Sequence, residues 1–148
     1  MMTKPVVKNA KQTDVIEVLP ILKKFMSPGQ LCAVADMTRG EEGQFFRNKM
    51  VEMAEIFKMM PKTYETDGEG KNAVAYLHFF KNDCDWYITE KDVDSDNEGQ
   101  IQAFGLAKIW EAELGYINIK ELQACGVEVD LYWTPKTIGE IRKEIENN

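Results

Sequence analysis

The sequence predicts an α+β fold in which N-terminal helices precede an antiparallel β-meander of about five strands with short attached helices. In residues 14–26, DVIEVLPILKKFM, apolar side chains recur at helical spacing. In residues 73–81, AVAYLHFFK, aromatic and apolar residues instead form one short run that is typical of a buried strand. Because helices come first and strands follow, the order favours α+β over repeated βαβ units.

The chain of 148 residues has the length of one domain, which we divide into three segments. Residues 1–12 are polar and lysine-bearing, so a flexible tail is expected there. Residues 13–60 form the predicted helical segment, and residues 61–148 form the predicted α+β domain. We expect these two parts to fold as one compact unit.

The helical segment carries recognisable start and stop residues. Thr13 is a possible cap for the first helix, in which Pro20 predicts either a kink or a second start. Ser27 and Gln30 have the spacing of a capping box, and Pro28 suits a first helical position. A second helix is therefore predicted from Pro28 to about Met37.

A third helix is predicted to end before Pro61, and it carries a stripe of methionine and phenylalanine side chains. Such a stripe could line an adaptable binding groove, but core packing is the more common role of methionine on a helix. The stripe could also pair the N-terminal helices of two copies in a homodimer. Its members are Phe46, Met50, Met53, Ala54, Phe57 and Met60.

The second half reads as strands joined by turns and short helices. Asn118 with Glu121, and Thr137 with Glu140, have capping-box spacing and predict two short helices. The alternating residues 127–133, VEVDLYW, predict the last strand. The four preceding strands are predicted within residues 73–81, 86–91, 100–109 and 113–119.

The charge balance restricts the classes of partner. With 25 acids against 18 bases, the net charge of −7 disfavours direct nucleic-acid binding and permits docking on a basic protein. Cys32, Cys84 and Cys125 lie far apart and include no C-x-x-C motif, which fits a reducing cytoplasm. No apolar run approaches a signal peptide or a membrane span, so a soluble cytoplasmic protein is expected, with no cofactor and no membrane partner.

The stretch DVDSDNEG, residues 92–99, begins like a calcium loop, with acids at alternate positions. An EF-hand loop starting at Asp92 would find Asn97 where glycine is needed and Ala103 where glutamate is needed. The flanks are also predicted strands rather than helices. The sequence therefore predicts no metal site, and this stretch is interpreted as a loop between two strands.

Three residues are candidates for acid–base catalysis. Glu90 and Asp92 would project from the same face of a strand, where two close carboxylates need a cation or a raised pKa. His78 is the only histidine, and Asp85 or Glu90 could orient it as a general base. The more common arrangements are a surface ion pair for the carboxylates and a half-buried strand position for the histidine.

Acids mixed with tyrosine and tryptophan predict a protein-binding surface, because aromatic side chains supply contact area at small entropic cost. The alternative is that Tyr116 and Trp133 only cap the core of a small sheet. The residues assigned to the predicted surface are Asp85, Trp86, Glu90, Asp92, Asp94, Asp96, Glu98, Glu113, Tyr116, Asp130 and Tyr132.

Five short motifs follow one another in a distinctive order: VAYLHFF, DWYITEKD, AFGL, ELGYINIKEL and VDLYWTPKTIGEI. Over about residues 61–141 this succession resembles the DUF2958 family of uncharacterised bacterial and phage proteins. Members tend to occur on plasmids, phages and integrative elements, often near antirestriction-type genes. The resemblance implies an accessory protein of a mobile genetic element and implies no particular reaction.

The leading expectation is a non-enzymatic accessory protein that binds a basic, nucleic-acid-handling host or phage protein through an acidic surface. Counter-defence, directed against restriction or CRISPR machinery, is one specific version. The first alternative is a small enzyme that uses the Glu90 and Asp92 carboxylates. The second is a small-ligand or nucleotide-binding module in which Trp86, Tyr116 and Trp133 stack on the ligand.

Overall fold

The computed structural model describes residues 4–93 and 99–147, and it confirms the predicted α+β class. Three helices come first: α1 (Gln12–Leu22), α2 (Pro28–Met37) and α3 (Gly43–Met59). Two short helices follow among the strands: α4 (Ile119–Ala124) and α5 (Ile138–Glu146). None of these helices has the length and apolar content needed to cross a bilayer, within the part of the chain that the structure describes.

The strands form an antiparallel five-stranded sheet and a separate two-stranded ribbon. The order in the main sheet is β5-β4-β3-β2-β6, and β1 pairs with β7 in the ribbon. Consecutive strands β2 to β5 are neighbours, as a meander requires. The bounds are β1 (Val74–Ala75), β2 (Leu77–Lys81), β3 (Cys84–Glu90), β4 (Ala103–Lys108), β5 (Ala112–Ile117), β6 (Glu128–Val129) and β7 (Lys136–Thr137).

One face of the main sheet packs against the N-terminal helices. Because side chains alternate along a strand, Leu77 and Phe79 of β2 and Ile88 of β3 point to this face. All three are fully buried in one cluster with Leu22 and Phe25 from the α1 region. The core therefore joins residues from both halves of the chain.

The other face is covered by the C-terminal helix. Tyr87 of β3 and Leu106 of β4 form a second buried cluster with Ile138 and Ile141 of α5. The side chain of Trp133 packs against the same cluster. The sheet thus lies between the N-terminal helices and α5.

The methionine and phenylalanine stripe of α3 lies in the core. Met50, Met53 and Phe57 are at most 3% exposed, and the Phe57 ring stacks on Phe25 with centroids 4.7 Å apart. Phe46 packs against the same cluster. The predicted homodimer through the N-terminal helices would need a different surface of those helices.

Two of the predicted helix starts use other residues than expected. Helix α1 begins at Gln12, one residue before Thr13, and the Lys11 backbone N–H donates to the Asp14 carboxylate at 2.8 Å. Ser27 is the N-cap residue of α2, but its side chain makes no cap hydrogen bond. Gln30 donates instead to the distant Val129 carbonyl, so the predicted capping box does not form.

Of the two predicted downstream capping boxes, the one at Thr137 forms in full, and the one at Asn118 forms only its cap hydrogen bond. The Asn118 side-chain oxygen accepts the Glu121 backbone N–H at 3.1 Å. The Thr137 hydroxyl accepts the Glu140 backbone N–H at 3.2 Å, and the Glu140 carboxylate accepts the Thr137 N–H in return. That reciprocal bonding lowers the pKa of the Glu140 carboxyl group.

The predicted strand over residues 127–133 is shorter than expected. Only Glu128–Val129 pairs with β2 as β6. The Asp130 carboxylate accepts the Tyr132 backbone N–H at 2.9 Å, which draws the chain into a turn in place of a continued ladder. The predicted strand over residues 73–81 likewise divides at Tyr76 into β1 and β2.

The segment before α1 is attached to α3 at Ala10. The Ala10 backbone N–H donates to the Asn48 side chain at 3.0 Å, and its carbonyl accepts from Arg47 Nε at 3.0 Å. Ala10 is 5% exposed. The end of the predicted tail therefore contributes to the folded structure.

Candidate functional site

The two edges of the main sheet differ. At the β6 edge, Gln30 Nε2 donates to the Val129 carbonyl at 2.8 Å and Gln30 Oε1 accepts the Val129 N–H at 2.9 Å. The amide of one glutamine thus occupies both backbone groups, as a neighbouring strand would. At the other edge, no strand within the described residues pairs with the outer side of β5.

A groove of about 500 Å³ lies beside β5, between the sheet and the loop 62–72. Its large apolar lining residues are Tyr116 and Leu114 of β5, Phe104 of β4 and Tyr64 of the loop. Tyr64 and Tyr116 are 57% and 58% exposed, and Leu114 is 42% exposed. A groove of this size and lining suits an apolar side chain or a small ligand.

Glu90 holds the loop against the sheet. Its Oε1 accepts the Tyr64 backbone N–H at 3.0 Å, and its Oε2 accepts the Thr66 backbone N–H at 2.7 Å. The Thr66 hydroxyl also donates to Oε2. The side chain is 3% exposed at the end of β3, where the register with β4 shifts between Ile88 and Glu90. Glu90 therefore lines the groove and fixes the position of the loop, because both of its carboxylate oxygens accept hydrogen bonds from loop residues.

Two tyrosines form the mouth of the groove. The Tyr116 hydroxyl donates to the Tyr64 hydroxyl at 3.3 Å, and this bond raises the pKa of the Tyr116 hydroxyl. The Tyr116 ring meets Phe104 edge to face, with centroids 5.6 Å apart. Tyr64 has a backbone φ of 78°, an unusual value for a non-glycine residue. The Glu90 hydrogen bonds hold the loop that contains this conformation.

An exposed tryptophan continues the surface beyond the strand. Trp110, in the turn between β4 and β5, is 93% exposed, and its neighbour Ile109 is 52% exposed. Fully exposed tryptophan is uncommon, and tryptophan is a frequent anchor in protein interfaces. We call Trp110, Leu114 and Tyr116 together the β5 surface.

The segments around the groove are acidic. The loop 62–72 holds three acids and two lysines, and residues 109–117 hold two acids and no base. Asp67 lines the groove itself. Glu113, which was assigned to the predicted binding surface, is exposed on β5 and by strand alternation faces away from Tyr116.

Asp92 is 7% exposed and also binds backbone amides. Its Oδ2 accepts the N–H groups of Ile101 at 3.1 Å and Gln102 at 2.9 Å. Its own N–H donates to Gln100 Oε1 at 2.7 Å. Backbone N–H donors thus stabilise both buried carboxylates, a contribution that the sequence did not reveal.

His78 bridges two aspartates on the face of the sheet that α5 covers. His78 Nε2 lies 2.7 Å from Asp85 Oδ1, and Nδ1 lies 3.2 Å from Asp130 Oδ2. Both nitrogens can donate at once only in the imidazolium form. Asp85 was an expected partner, whereas Asp130 was not. Because neither nitrogen is open toward a substrate, the geometry gives no support to the general-base interpretation.

The aromatic side chains proposed for nucleotide stacking do not meet. Trp86 lies on the face that the N-terminal helices cover and packs against the larger core cluster. Trp133 lies on the opposite face, where its Nε1 donates to the Ala75 carbonyl at 3.0 Å. Tyr116 lies at the β5 groove. The structure therefore separates the three rings.

The remaining candidates lie elsewhere. Tyr132 is 66% exposed, and its ring stacks on Phe45 of α3 with centroids 5.9 Å apart. Asp94, Asp96 and Glu98 lie outside the described residues. Within the described ranges, no group of three or more His, Cys, Asp or Glu side chains is arranged to hold a metal ion.

Sequence reasoning missed four residues of the groove region: Tyr64, Thr66, Phe104 and Trp110. Tyr64 and Thr66 lie in a polar segment without periodicity, so nothing local marked them. Leu114 was placed within a predicted strand, and the alternation of ELGYI could have paired it with Tyr116 on one face.

A comparison of the chain with protein-family models, with curated proteins and with solved structures gives no match. The similarity to DUF2958 therefore stays a prediction from the ordered motifs.

Proposed function

We propose that this protein is a binding module that receives an extended, basic segment of a partner protein along β5. The observation that carries the proposal is the open β5 edge beside an exposed apolar surface, while Gln30 occupies the opposite edge. An extended peptide can add to such an edge through backbone hydrogen bonds and place alternate side chains in neighbouring pockets.

The residues that line the groove indicate which side chains the bound segment of the partner would carry. Leu114 and Tyr116 project on the same face as Phe104, so an apolar side chain of the added strand would enter between them and Tyr64. Trp110 would cover the next part of the segment. Acidic residues of the loop 62–72 and of residues 109–117 favour lysine or arginine at the intervening positions.

This proposal alters the acidic-surface hypothesis in one respect. The Glu90 and Asp92 carboxylates are buried and bind backbone amides, so they would support the site without touching the partner. Glu113 and Asp67 take their place as accessible acids.

A selection experiment tests the proposal. A displayed library of random peptides would be selected on the wild-type protein and on the variant W110S/L114S/Y116S. We expect wild-type selection to enrich peptides in which lysine or arginine alternates with apolar residues, and the triple variant to lose them. The control is Tyr132→Ala, which removes another exposed aromatic ring that lies outside the β5 surface.

Hydrogen exchange gives an independent measurement. An enriched peptide should slow amide exchange within residues 112–117 and leave residues 128–129 unchanged, because the β6 edge is already occupied. Enriched peptides without basic residues, or binding that survives the triple variant, would overturn the proposal.

The resemblance to DUF2958 supports a more specific setting, the cytoplasm of a bacterium that carries a phage or mobile element. There the partner would be a basic protein that handles nucleic acid, and counter-defence would be the biological role. Expression in restriction-proficient or CRISPR-proficient cells should then raise phage plating efficiency, and the triple variant should not. Equal plating with the wild type and the empty vector would count against counter-defence while leaving peptide binding testable.

A further inference from the structure

A second, larger groove lies between the N-terminus of α2 and the helix α4. Its volume is about 1070 Å³, and it is unconnected with the residues of the β5 groove. Leu19, Met26, Leu31 and Ala124 are among the apolar residues that line it. The side chain of Gln123 fixes one wall, because its Nε2 donates to the carbonyls of Lys23 at 2.7 Å and Met26 at 2.9 Å.

The N-terminus of α2 opens into this groove with unused hydrogen-bond donors. The first helical bond runs from the Leu31 N–H to the Ser27 carbonyl, so the N–H groups of Gly29 and Gln30 have no partner within the helix. Pro28 has no N–H to offer. Among the described residues, no side chain caps these donors.

Ser27 provides a second and independent indication. Its side chain is buried, with 2% exposure, and the residue lines the groove. Its hydroxyl makes no cap hydrogen bond, although serine at this position ordinarily caps its helix. The Ser27 hydroxyl is therefore available to a ligand that enters the groove.

The charges at the groove favour an anion. Lys23 and Lys120 both line it, and neither has an ion-pair partner in the described part of the chain. Glu128 is the one acid in the lining. Two cations, two helix N-terminal amides and a hydroxyl thus belong to residues that line one apolar groove, and helix N-termini favour negative charge.

We propose that this groove binds an amphipathic anion, meaning an apolar chain that ends in a carboxylate or phosphate group. The anionic group would accept hydrogen bonds from Gly29 N, Gln30 N and the Ser27 hydroxyl. Lys23 and Lys120 would balance its charge, and the apolar chain would lie along Leu19, Met26 and Leu31. This site is independent of the β5 surface and of the proposed partner.

Binding of four probes tests the proposal: decanoate, decyl phosphate, 1-decanol and inorganic phosphate, each below its aggregation concentration. Backbone amide NMR signals of Gly29 and Gln30 report on the anionic end. We expect decanoate and decyl phosphate to shift these signals saturably. Inorganic phosphate should bind at least about tenfold more weakly because it lacks the apolar chain, and 1-decanol should leave the two amide signals in place.

Two variants separate the two halves of the site. Ser27→Ala should weaken decyl phosphate about tenfold while leaving the melting temperature unchanged, because the hydroxyl makes no cap bond. Ala124→Trp, at an exposed position, should block the decyl chain without changing the response to inorganic phosphate. Lys8→Ala, an exposed lysine outside the groove, is the control for general charge.

Three outcomes would overturn the proposal. One is that 1-decanol competes as well as decanoate, which would make the groove merely apolar. Another is that phosphate alone binds as tightly as decyl phosphate. The third is that Ser27→Ala and Lys8→Ala weaken binding equally.

Discussion

At the scale of single residues, two buried carboxylates organise the backbone around them. Glu90 accepts three hydrogen bonds from Tyr64 and Thr66, and Asp92 accepts two from Ile101 and Gln102. Charge-assisted bonds of this kind are stronger than neutral ones. Each carboxylate therefore ties a neighbouring segment of backbone to the end of β3.

Glu90→Gln should show what the charge contributes. The amide group would present N–H donors toward backbone N–H groups, so at least one bond would be lost. We expect a loss of about 1–3 kcal/mol in the free energy of unfolding, measured by urea denaturation. Exchange of the Tyr64 and Thr66 amides should also become faster.

The matched control for this variant is Glu69→Gln, an exposed carboxylate in the same loop. It should change stability by less than about 0.5 kcal/mol. Equal effects of the two variants would show that the buried hydrogen bonds do not hold the loop.

Tyr87 predicts a response to alkaline pH. Burial raises its pKa to about 12, with smaller contributions from the negative charges of Asp85, Glu144 and Asp130. The unfolded value is about 10, so the folded protein holds this proton more tightly between pH about 10 and about 12. The stability of the wild type relative to Tyr87→Phe should be constant below that window and fall within it.

Denaturation at several alkaline pH values measures this difference, and absorbance at about 295 nm follows tyrosinate formation. Tyr132→Phe is the control, because Tyr132 is 66% exposed. A constant stability difference between the wild type and Tyr87→Phe through pH about 12 would contradict the prediction.

Residue-scale features were predictable where their partners are close in sequence. Asn118 and Thr137 cap their helices as predicted, because each bonds to a residue three positions along the chain. Gln30 was assigned to a cap by the same spacing, but its partner Val129 is 99 positions away. The donors to Glu90 lie 24 and 26 positions away, in a loop without any pattern.

At the scale of elements, β3 and β4 approach so closely that one position in β4 must be glycine. A Cβ on Gly105 would lie 1.9 Å from the Tyr87 carbonyl oxygen and 2.9 Å from its carbon. Both contacts are with backbone, so no side-chain rotation relieves them. The ladder between β3 and β4 therefore depends on the missing side chain.

Gly105→Ala should destabilise the protein by about 3 kcal/mol or more, or prevent folding, since the two strands would have to separate. Thermal melting and soluble yield measure this effect. The control is Gly115→Ala on β5, which pairs directly with Gly105 and has no atom within 4 Å of the added Cβ. Comparable losses in both variants would mean that general glycine replacement, not the close approach, is responsible.

Element types were easier to predict than element ends. Hydrophobic periodicity indicated α3 correctly, because the stripe that it detects is the buried face. The strand over residues 127–133 was overextended, because alternation does not reveal that the Asp130 side chain closes a turn on Tyr132. Lys91 is the last residue of a predicted strand, whereas β3 ends at Glu90. The Lys91 ammonium group donates to the Phe57 carbonyl at 2.7 Å and the Lys58 carbonyl at 3.0 Å. It thus stabilises the C-terminus of α3.

At the scale of the whole molecule, the larger core spans both halves of the chain. Leu77, Phe79 and Ile88 of the sheet are fully buried with Leu22 and Phe25 of the helical segment. Removing the helices would expose this face to water. The sheet alone would then lack the burial that stabilises it.

The fragment 61–148 should accordingly fail to fold, and the full chain should unfold in one transition. Circular dichroism of the helices and fluorescence of the W110F/W133F variant, in which Trp86 is the remaining tryptophan and lies against the N-terminal helices, should give the same urea midpoint. Two separated midpoints, or a folded fragment with a cooperative transition of its own, would contradict this prediction.

The glutamine that occupies the β6 edge also bears on self-association. Strand pairing between copies makes fibres only when each molecule offers two free edges, one for each neighbour. Because Gln30 occupies the β6 edge, β5 is the one free edge of the main sheet among the residues that the structure describes. Two copies that met through β5 would form a two-fold symmetric pair that uses both edges at once, and growth of the main sheet would stop there.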